Sequence, residues 1–232
     1  TDAQGNSSTQ TQDVVITDTT APVADLASLT DVTAECEVTA LTAPTATDNC
    51  GGVVTVTNDA TLPITAQGTT RRTWSDTDAQ GNSSTQTQDV VITDTTAPVA
   101  DLATLADVTA ECELTSLTDP TATDNCGGVV TVTNDATLPI NTLGTTVVTW
   151  TYTDAQGNSS TQTQDVVITD TTAPVADLAT LSDVTAECEV TALTAPTATD
   201  NCGGVVTVTN DATLPITAQG TTTVTWTYTD AQ

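Results

Sequence analysis

Apolar and polar side chains alternate strictly over short stretches of this chain. Between Asp107 and Leu114, the residues Val108, Ala110, Cys112 and Leu114 fall on one side, and Asp107, Thr109, Glu111 and Glu113 on the other. That period of two predicts a half-buried strand. Val130 and Val132 repeat the pattern after the Gly127-Gly128 turn. Thr146, Val148, Trp150 and Tyr152 predict the inner face of a longer strand, which ends at the turn formers Asp154 to Asn158. Val166 and Ile168 face inward on the return strand, making a hairpin. No stretch shows the helical period, so the chain is expected to be all-β, with roughly seven short strands in each antiparallel sandwich.

The pattern recurs along the chain. The tetrapeptide TDAQ begins at Thr1, Thr77, Thr153 and Thr229, a spacing of 76 residues, and residues 1–76 differ from 153–228 at six positions. A solenoid unit runs about 20 to 50 residues; a period of 76 suits a small independent domain. The DTTAP segments at Asp18–Pro22, Asp94–Pro98 and Asp170–Pro174 combine turn formers with a φ-fixing Pro and mark the borders. Cut there, residues 1–17 are the closing strand of a preceding repeat, 18–93 and 94–169 are complete repeats, and 170–232 is a repeat lacking its closing strand. The expected architecture is therefore a row of tandem immunoglobulin-like antiparallel β-sandwiches with a 76-residue repeat, extended as a rod. Such a chain reads as a window on a longer repetitive protein, whose neighbouring repeats are its first partners. The alternative is strand donation, in which residues 1–17 complete the open third repeat of another chain.

Composition narrows the function. Thirty acidic side chains stand against two basic ones, a net charge of −28, and His, Lys, Met and Phe are absent. Nucleic acid and anionic membranes need Lys or Arg to displace counterions, so neither is an expected partner. No apolar run approaches ~20 residues and no basic-then-apolar leader is present, so membrane insertion is not expected and the sequence reads as beginning mid-protein. Without His, the commonest general base and zinc ligand are lost; no catalytic or cofactor-binding residue is assigned, and an enzyme is not expected. The first repeat breaks its own pattern, because Arg71, Arg72, Ser75 and Asp76 stand where the second has Val147, Val148, Thr151 and Tyr152. By strand parity Arg72 and Asp76 point inward. Either they pair across the strand face or that domain is loosened there; a protease-accessible dibasic site is a further reading.

Each repeat carries two cysteines at one spacing: Cys36 and Cys50, Cys112 and Cys126, Cys188 and Cys202. Two per domain, without CxxC or His, do not make a zinc site. They predict one disulfide per repeat, closed within the repeat, and an oxidising compartment outside the cytoplasm. A loop of about 15 residues so closed contributes about 3 kcal/mol in the chain-entropy account. A redox role competes weakly, since the acidic neighbours Glu35 and Glu37 would raise a thiol pKa. Aspartates recur in register too. In an immunoglobulin-like sandwich the entering linker, the loop between the second and third strands and the last hairpin turn share one pole. Those positions are Asp18, Asp48 and Asp78; Asp94, Asp124 and Asp154; Asp170, Asp200 and Asp230. Three carboxylates at one junction need a hard cation, and oxygen-only ligands select Ca²⁺. The competing reading gives them turn and capping chemistry alone.

DTTAP, the paired cysteines with ATDNCGG at the second, TLPI, a strand opening with GTT and TDAQGN follow one another at Asp94–Pro98, Ala122–Gly128, Thr137–Ile140 and Thr153–Asn158, with counterparts in the other repeats. This order resembles hyalin-repeat (HYR-like) and bacterial immunoglobulin-like modules of large cell-surface adhesins, and is most similar to the gliding-motility adhesin of flavobacteria. The resemblance implies a stalk segment of an extracellular filament on a bacterial surface, displaying a binding tip and transmitting force in adhesion or gliding. It also implies export by the type IX route, and cell-surface anchoring or motor machinery as partner. The alternative is that the repeats are themselves adhesive, binding glycans such as a surface polysaccharide through Thr-rich strand faces.

Overall fold

A computed structural model describes residues 1–231, all of it strand, bridge, turn and irregular segment. Among these residues no helix is long and apolar enough to cross a membrane. The chain forms two compact units, Thr1–Thr96 and Ala97–Gln232. The first unit holds β1 (Val23–Ala24), β2 (Val32–Ala34), β3 (Ala46–Thr47), β4 (Thr55–Asn58), β5 (Gly68–Thr77) and β6 (Ser83–Ile92). In the second, one repeat holds β7 (Val99–Ala100), β8 (Val108–Glu111), β9 (Ala122–Thr123), β10 (Thr131–Asn134), β11 (Gly144–Thr153) and β12 (Ser159–Thr169). The other holds β13 (Val175–Ala176), β14 (Ala198–Thr199), β15 (Thr207–Asn210) and β16 (Trp226–Thr229).

The repeat from β7 to β12 shows how the sequence makes the fold. A small sheet, β7 paired with β9, faces a four-stranded sheet in the order β10-β11-β12-β8. β11 and β12 form the hairpin expected from the DAQGN turn, with Thr153 opposite Ser159. Val148, Trp150 and Tyr152 on β11 and Val166 and Ile168 on β12 are fully buried, joined by Ile140 and flanked by Leu105, Val108, Leu114 and Val132. The two aromatic tips are satisfied by glutamines of the neighbouring strand β12. Trp150 Nε1 donates to Gln164 Oε1 at 3.0 Å, and Tyr152 Oη donates to Gln162 Oε1 at 2.7 Å. Each glutamine passes the contact on, Gln162 Nε2 donating to the Leu102 carbonyl and Gln164 Nε2 to that of Ala106, each at 2.8 Å. The TQTQ run thus pins the β7–β8 connection over the core. A buried polar tip without such a partner would cost about 1–3 kcal/mol.

Two features depart from the expected antiparallel, seven-stranded pattern. β8 lies parallel to β12, with Val108 opposite Val166 and Glu111 opposite Thr169. The predicted strand Asp107–Leu114 also stops early, because Cys112 adopts φ 66°, a left-handed conformation costly for a residue with a Cβ. Leu114 then bridges to Ile140 instead of continuing along β12. One periodic stretch therefore serves two neighbours, and a complete repeat has six strands plus a bridge. The alternation itself holds, since Val108, Ala110, Cys112 and Leu114 are half-buried while Thr109, Glu111 and Glu113 are exposed.

In the first unit β2-β6-β5-β4 repeats this sheet, again with a parallel β2–β6 pair. Residues 1–17 form no strand, and Val14, Val15 and Ile16 are 80%, 83% and 91% exposed. Arg71 faces outward and makes a bidentate ion pair with Asp89 at 2.8 and 3.0 Å. Asp76 is buried as strand parity predicts, but no ion pair joins it to Arg72; Asp76 Oδ1 and Arg72 Nε are buried without partners. Asp76 stands where the second repeat has Tyr152, and Gln86 Oε1, the counterpart of the acceptor on Gln162, is consequently left unpartnered. The core cluster shrinks to Val38, Ile64, Val90 and Ile92, with Trp74 outside it. Arg72 and Asp76 thus do not pair, although Trp74, Asp76, Val90 and Ile92 are as fully buried as their counterparts in the second repeat. In the third, Trp226 and Tyr228 are only half-buried, and among the described residues β16 pairs with β15 alone.

Burial, and then the charge of Asp25, push the Asp76 carboxyl above its ordinary range. A raised carboxyl binds its proton more tightly folded than unfolded, so the first unit gains stability as pH falls through that raised value toward about 4 and loses it as pH rises. Asp76→Tyr with Arg72→Val should stabilise the first unit at pH 7 by roughly 2 kcal/mol or more, about 10 °C in Tm, and abolish this acid gain. Thermal melts at pH 5 and 7 check it; an unchanged Tm would show that Gln86 needs no such partner.

Candidate functional site: the junction between repeats

The parallel pair decides what meets where two repeats join in the second unit. β8 and β12 end side by side, so Glu111 and Cys112 sit beside the linker that leaves β12. Cys112 N donates to the Thr169 carbonyl at 2.9 Å. Glu111 grips the first linker residues: Thr171 N donates to its Oε1 at 2.8 Å, and the hydroxyls of Thr169, Thr171 and Thr172 add contacts of 3.2–3.3 Å. The Thr171 amide foremost holds the Glu111 carboxyl below its usual range, against the opposing pull of burial. Glu35 makes the matching contacts in the first unit, accepting from the Thr95 and Thr96 hydroxyls at 2.9 and 2.6 Å.

The cysteines pair across this junction. Cys112 is bonded to Cys202, 90 positions on, with 4.8 Å between their Cα atoms. Asn201 Nδ2 lies 3.3 Å from Cys112 Sγ. This corrects the expected pairs within repeats, Cys112 with Cys126 and Cys188 with Cys202. The reason is geometric. In a repeat the first cysteine ends β8 at the downstream pole, while the second occupies the turn after β9 at the upstream pole, and a strand of ten residues spans about 33 Å between them. Cys112 therefore meets the second cysteine of the following repeat. Cys36 and Cys126 each take part in a disulfide, whereas Cys50 and Cys188 are free and exposed, so the expected Cys36–Cys50 pair is absent too. Roughly one disulfide per repeat survives as a count, but the loop closed by Cys112 and Cys202 is far longer than expected.

Of the aspartate sets, the structure brings the third together completely: one oxygen each from Asp170, Asp200 and Asp230 lie within 4.8 Å of one another, and Glu111, Asp170 and Cys202 form an adjoining group. Asp200 Oδ1 caps its own turn, accepting from Cys202 N at 2.9 Å, while Asp200 Oδ2 and Asp170 Oδ1 are buried without partners. Burial, then Asp200, Asp230 and Glu111, push the Asp170 carboxyl upward. In the first set Asp18 and Asp48 gather with Cys50, again leaving Asp18 Oδ2 and Asp48 Oδ1 buried and unpartnered. The Cys50 thiol is pushed up by burial and then by Asp18, Asp48 and Asp78. Asp78 is committed to its turn: both oxygens accept from Asn82, at 2.8 Å, and one also from Gln80 N, which outweighs burial and lowers its pKa. Asp154 does the same with Asn158 and Gln156. The middle set is divided between the two units, Asp94 in the first and Asp124 and Asp154 in the second. Asp94 Oδ1 accepts from Thr96 N at 3.1 Å, and Asp124 Oδ2 from Cys126 N at 2.8 Å. Turn chemistry thus takes one oxygen of Asp48, Asp124 and Asp200 and leaves the other buried without a partner. What the pattern of residues did not reveal was Glu111; its outward place on a strand read as a solvated face.

The family described as an HYR-like domain with 4 cysteines matches residues 17–92, 95–168 and 173–232. Hyalin of the sea urchin Strongylocentrotus purpuratus is 34% identical over 241 residues, covering 93% of this chain and 20% of hyalin. Hyalin of Lytechinus variegatus is 35% identical over 195 residues, covering 75% of this chain and 36% of that protein. The chain thus spans about a fifth and about a third of these relatives. Among solved structures, Drosophila N-cadherin EC1-4 aligns with a TM-score of 0.36 and 13% identity, covering 65% of this chain and 50% of that one. These sea-urchin relatives lend no support to the narrower likeness to a flavobacterial gliding adhesin.

The crowding at Asp170 is measurable. Its carboxyl should titrate above the ordinary ~3.9 of aspartate in carbon-detected NMR, and Asp200→Asn should lower it. Because the folded value is raised, this junction gains stability as pH falls through it. An Asp170 that titrates identically in parent and variant would dissolve the cluster.

Proposed function

The chain belongs to the HYR-like domain family, and from that premise we propose that it is a structural segment of an extracellular adhesion protein. Tandem sandwiches, secured repeat to repeat, hold a binding region away from the cell and carry tension along the chain. The observation behind this reading is the Cys112–Cys202 disulfide, which ties the downstream end of one repeat to the upstream turn of the next. Disulfides persist in oxidising surroundings, which accords with an extracellular place, as do the hyalin relatives. The role is non-catalytic, and the first partners are neighbouring repeats, with anchoring or motor machinery at a cell surface beyond them. Display on a bacterial surface and a part in gliding rest on the order of the sequence motifs alone. Recognition of glycans by the repeats is the weaker reading, since Trp74, Trp150 and Tyr152 are buried and offer no face for sugar stacking.

Ca²⁺ is the proposed ligand of the junction. Asp170, Asp200 and Asp230 supply oxygens alone, two of them buried without partners, and a hard divalent cation matches that donor chemistry. Such an ion would offset the mutual repulsion of the three carboxylates. Calorimetry on the full chain should detect Ca²⁺ binding at millimolar levels or tighter, weakened at least tenfold by Asp200→Ala. No heat from the parent, or an identical variant, returns the aspartates to turn formation only.

Tension is tested by pulling single molecules from both ends. With the disulfide intact, the 90-residue separation between Cys112 and Cys202 is shielded from extension. Reduction should release about 300 Å of additional contour length. Equal lengths with and without reductant would remove the staple from the mechanical path.

A further inference from the structure

Strand β11 of the complete repeat is covered along only part of one edge. β10 pairs with Trp150 to Thr153, and just before it Thr149 is still engaged, its amide donating to Asp135 Oδ1 at 2.8 Å and its carbonyl accepting from Asp135 N at 3.2 Å. Backbone groups of alternate residues point to the same edge of a strand, so the Val147 amide and carbonyl turn the same way as those of Thr149, away from β12. Among the described residues nothing pairs with them there. The chain beyond Asp135 instead runs to Ile140, which bonds Leu114. A cavity of about 410 Å³ opens between this loop and the edge, lined by Asp135, Pro139, Ile140, Thr146, Val147 and Val148 among others.

The second repeat departs from the third at this same place. Residues 77–152 and 153–228 differ at eight positions, and four of these, Asn141, Thr142, Leu143 and Val147, line or border the cavity, where the third repeat has Thr217, Ala218, Gln219 and Thr223. Elsewhere the two copies are almost verbatim, so the fold does not demand the changes. Two of them put apolar surface in water, Leu143 being 37% and Val147 58% exposed. The first repeat supplies a template for what could cover it. There Arg71 stands in place of Val147 and grips Asp89 with two bonds of 2.8 and 3.0 Å. Asp165, the counterpart of Asp89, lies directly opposite Val147, is exposed, and has no arginine there.

We propose that this edge is a docking groove for an extended basic segment of another protein, which adds to β11 as a further strand. The segment's central residue is an arginine set opposite Val147, exchanging two backbone hydrogen bonds with it. Neighbouring strands lie about 4.8 Å apart, so Asp165 is about 10 Å from that arginine's Cα, a span their two side chains bridge together. The arginine stem lies over the exposed Val147 side chain and its guanidinium meets Asp165, reproducing the Arg71–Asp89 fork from one strand further out. Residues on either side of the arginine point to the opposite face, where the cavity offers Ile140 and Val148; small aliphatic side chains such as valine fit there. Asp135, whose carboxyl the Thr149 amide holds below its usual range, adds a second charge at the rim. With a net charge of −28, a second copy of this chain is repelled and a cationic partner attracted. The groove lies within one repeat and owes nothing to the staple between repeats.

The full chain, with its disulfides intact, is titrated with the peptide acetyl-TVRVT-amide at about 0.15 M salt, where attraction between distant surface charges is screened. Calorimetry should fit one site with a Kd below about 1 mM, and hydrogen exchange at the Val147 amide should slow about tenfold at saturation. Methylating the peptide's arginine amide nitrogen removes the donor to the Val147 carbonyl without touching the protein, and should abolish binding. Arginine to alanine in the peptide and Asp165→Asn in the protein should each weaken binding about tenfold, and together no more than either alone. Additive losses would overturn the contact with Asp165. Equal binding by the scrambled peptide acetyl-RTTVV-amide, or by the methylated one, means attraction to the acidic surface only and overturns the groove. So does binding that leaves Val147 exchange unchanged, or no binding at all.

Discussion

The parallel pairing of β8 on β12 is the constraint from which the junction follows. An antiparallel partner at that edge would carry residues 108–111 the other way and leave Glu111 and Cys112 far from the departing linker. Running parallel, β8 delivers a carboxylate and a sulfur to the point where the chain crosses into the next repeat. The left-handed Cys112 then turns the backbone aside, freeing Leu114 to bridge Ile140. One register thus sets the grip on Thr171, the partner of Cys112 and the turn that the next repeat presents to it.

Electrostatics works against this arrangement. With a net charge of −28 and two arginines, the aspartates of the junction have no basic side chain to lean on. Backbone amides in the turns neutralise one oxygen of each loop aspartate, and the hairpin aspartates are absorbed by an asparagine four residues on. What remains is a small set of buried oxygens whose repulsion the covalent bond resists. The sulfur bridge and the carboxylates therefore belong to one balance: the first holds the repeats together at a place where the second pushes them apart.

Much of the sandwich was legible in the sequence because period-two alternation encodes burial directly. Val148, Trp150, Tyr152, Val166 and Ile168 face inward where alternation puts them, and the DAQGN hairpin forms where turn residues demand it. The inward charge at Asp76 was legible as well, by comparison with Tyr152 in the next copy. Two things were not. Strand direction leaves no trace in alternation, so the parallel β8–β12 pair was invisible. Cysteine connectivity was invisible for the same reason, since equal spacing in every repeat fits a bond within the repeat and a bond to its neighbour equally well. The aspartates at the upstream pole could be gathered by immunoglobulin-like topology, yet Glu111 could not, because its function depends on a linker that lies far along the chain.

The disulfide's span of 90 positions exceeds the repeat's period of 76. Its loop therefore encloses more than one full period, including the exposed turns at Gly127–Gly128, Gly157 and Leu178 where proteases find purchase. A single backbone cut anywhere between Cys112 and Cys202 leaves both fragments on one covalent framework. A chain secured this way tolerates nicks that would sever one stapled only within its domains, and its endurance becomes a property of the bond between repeats more than of the peptide backbone.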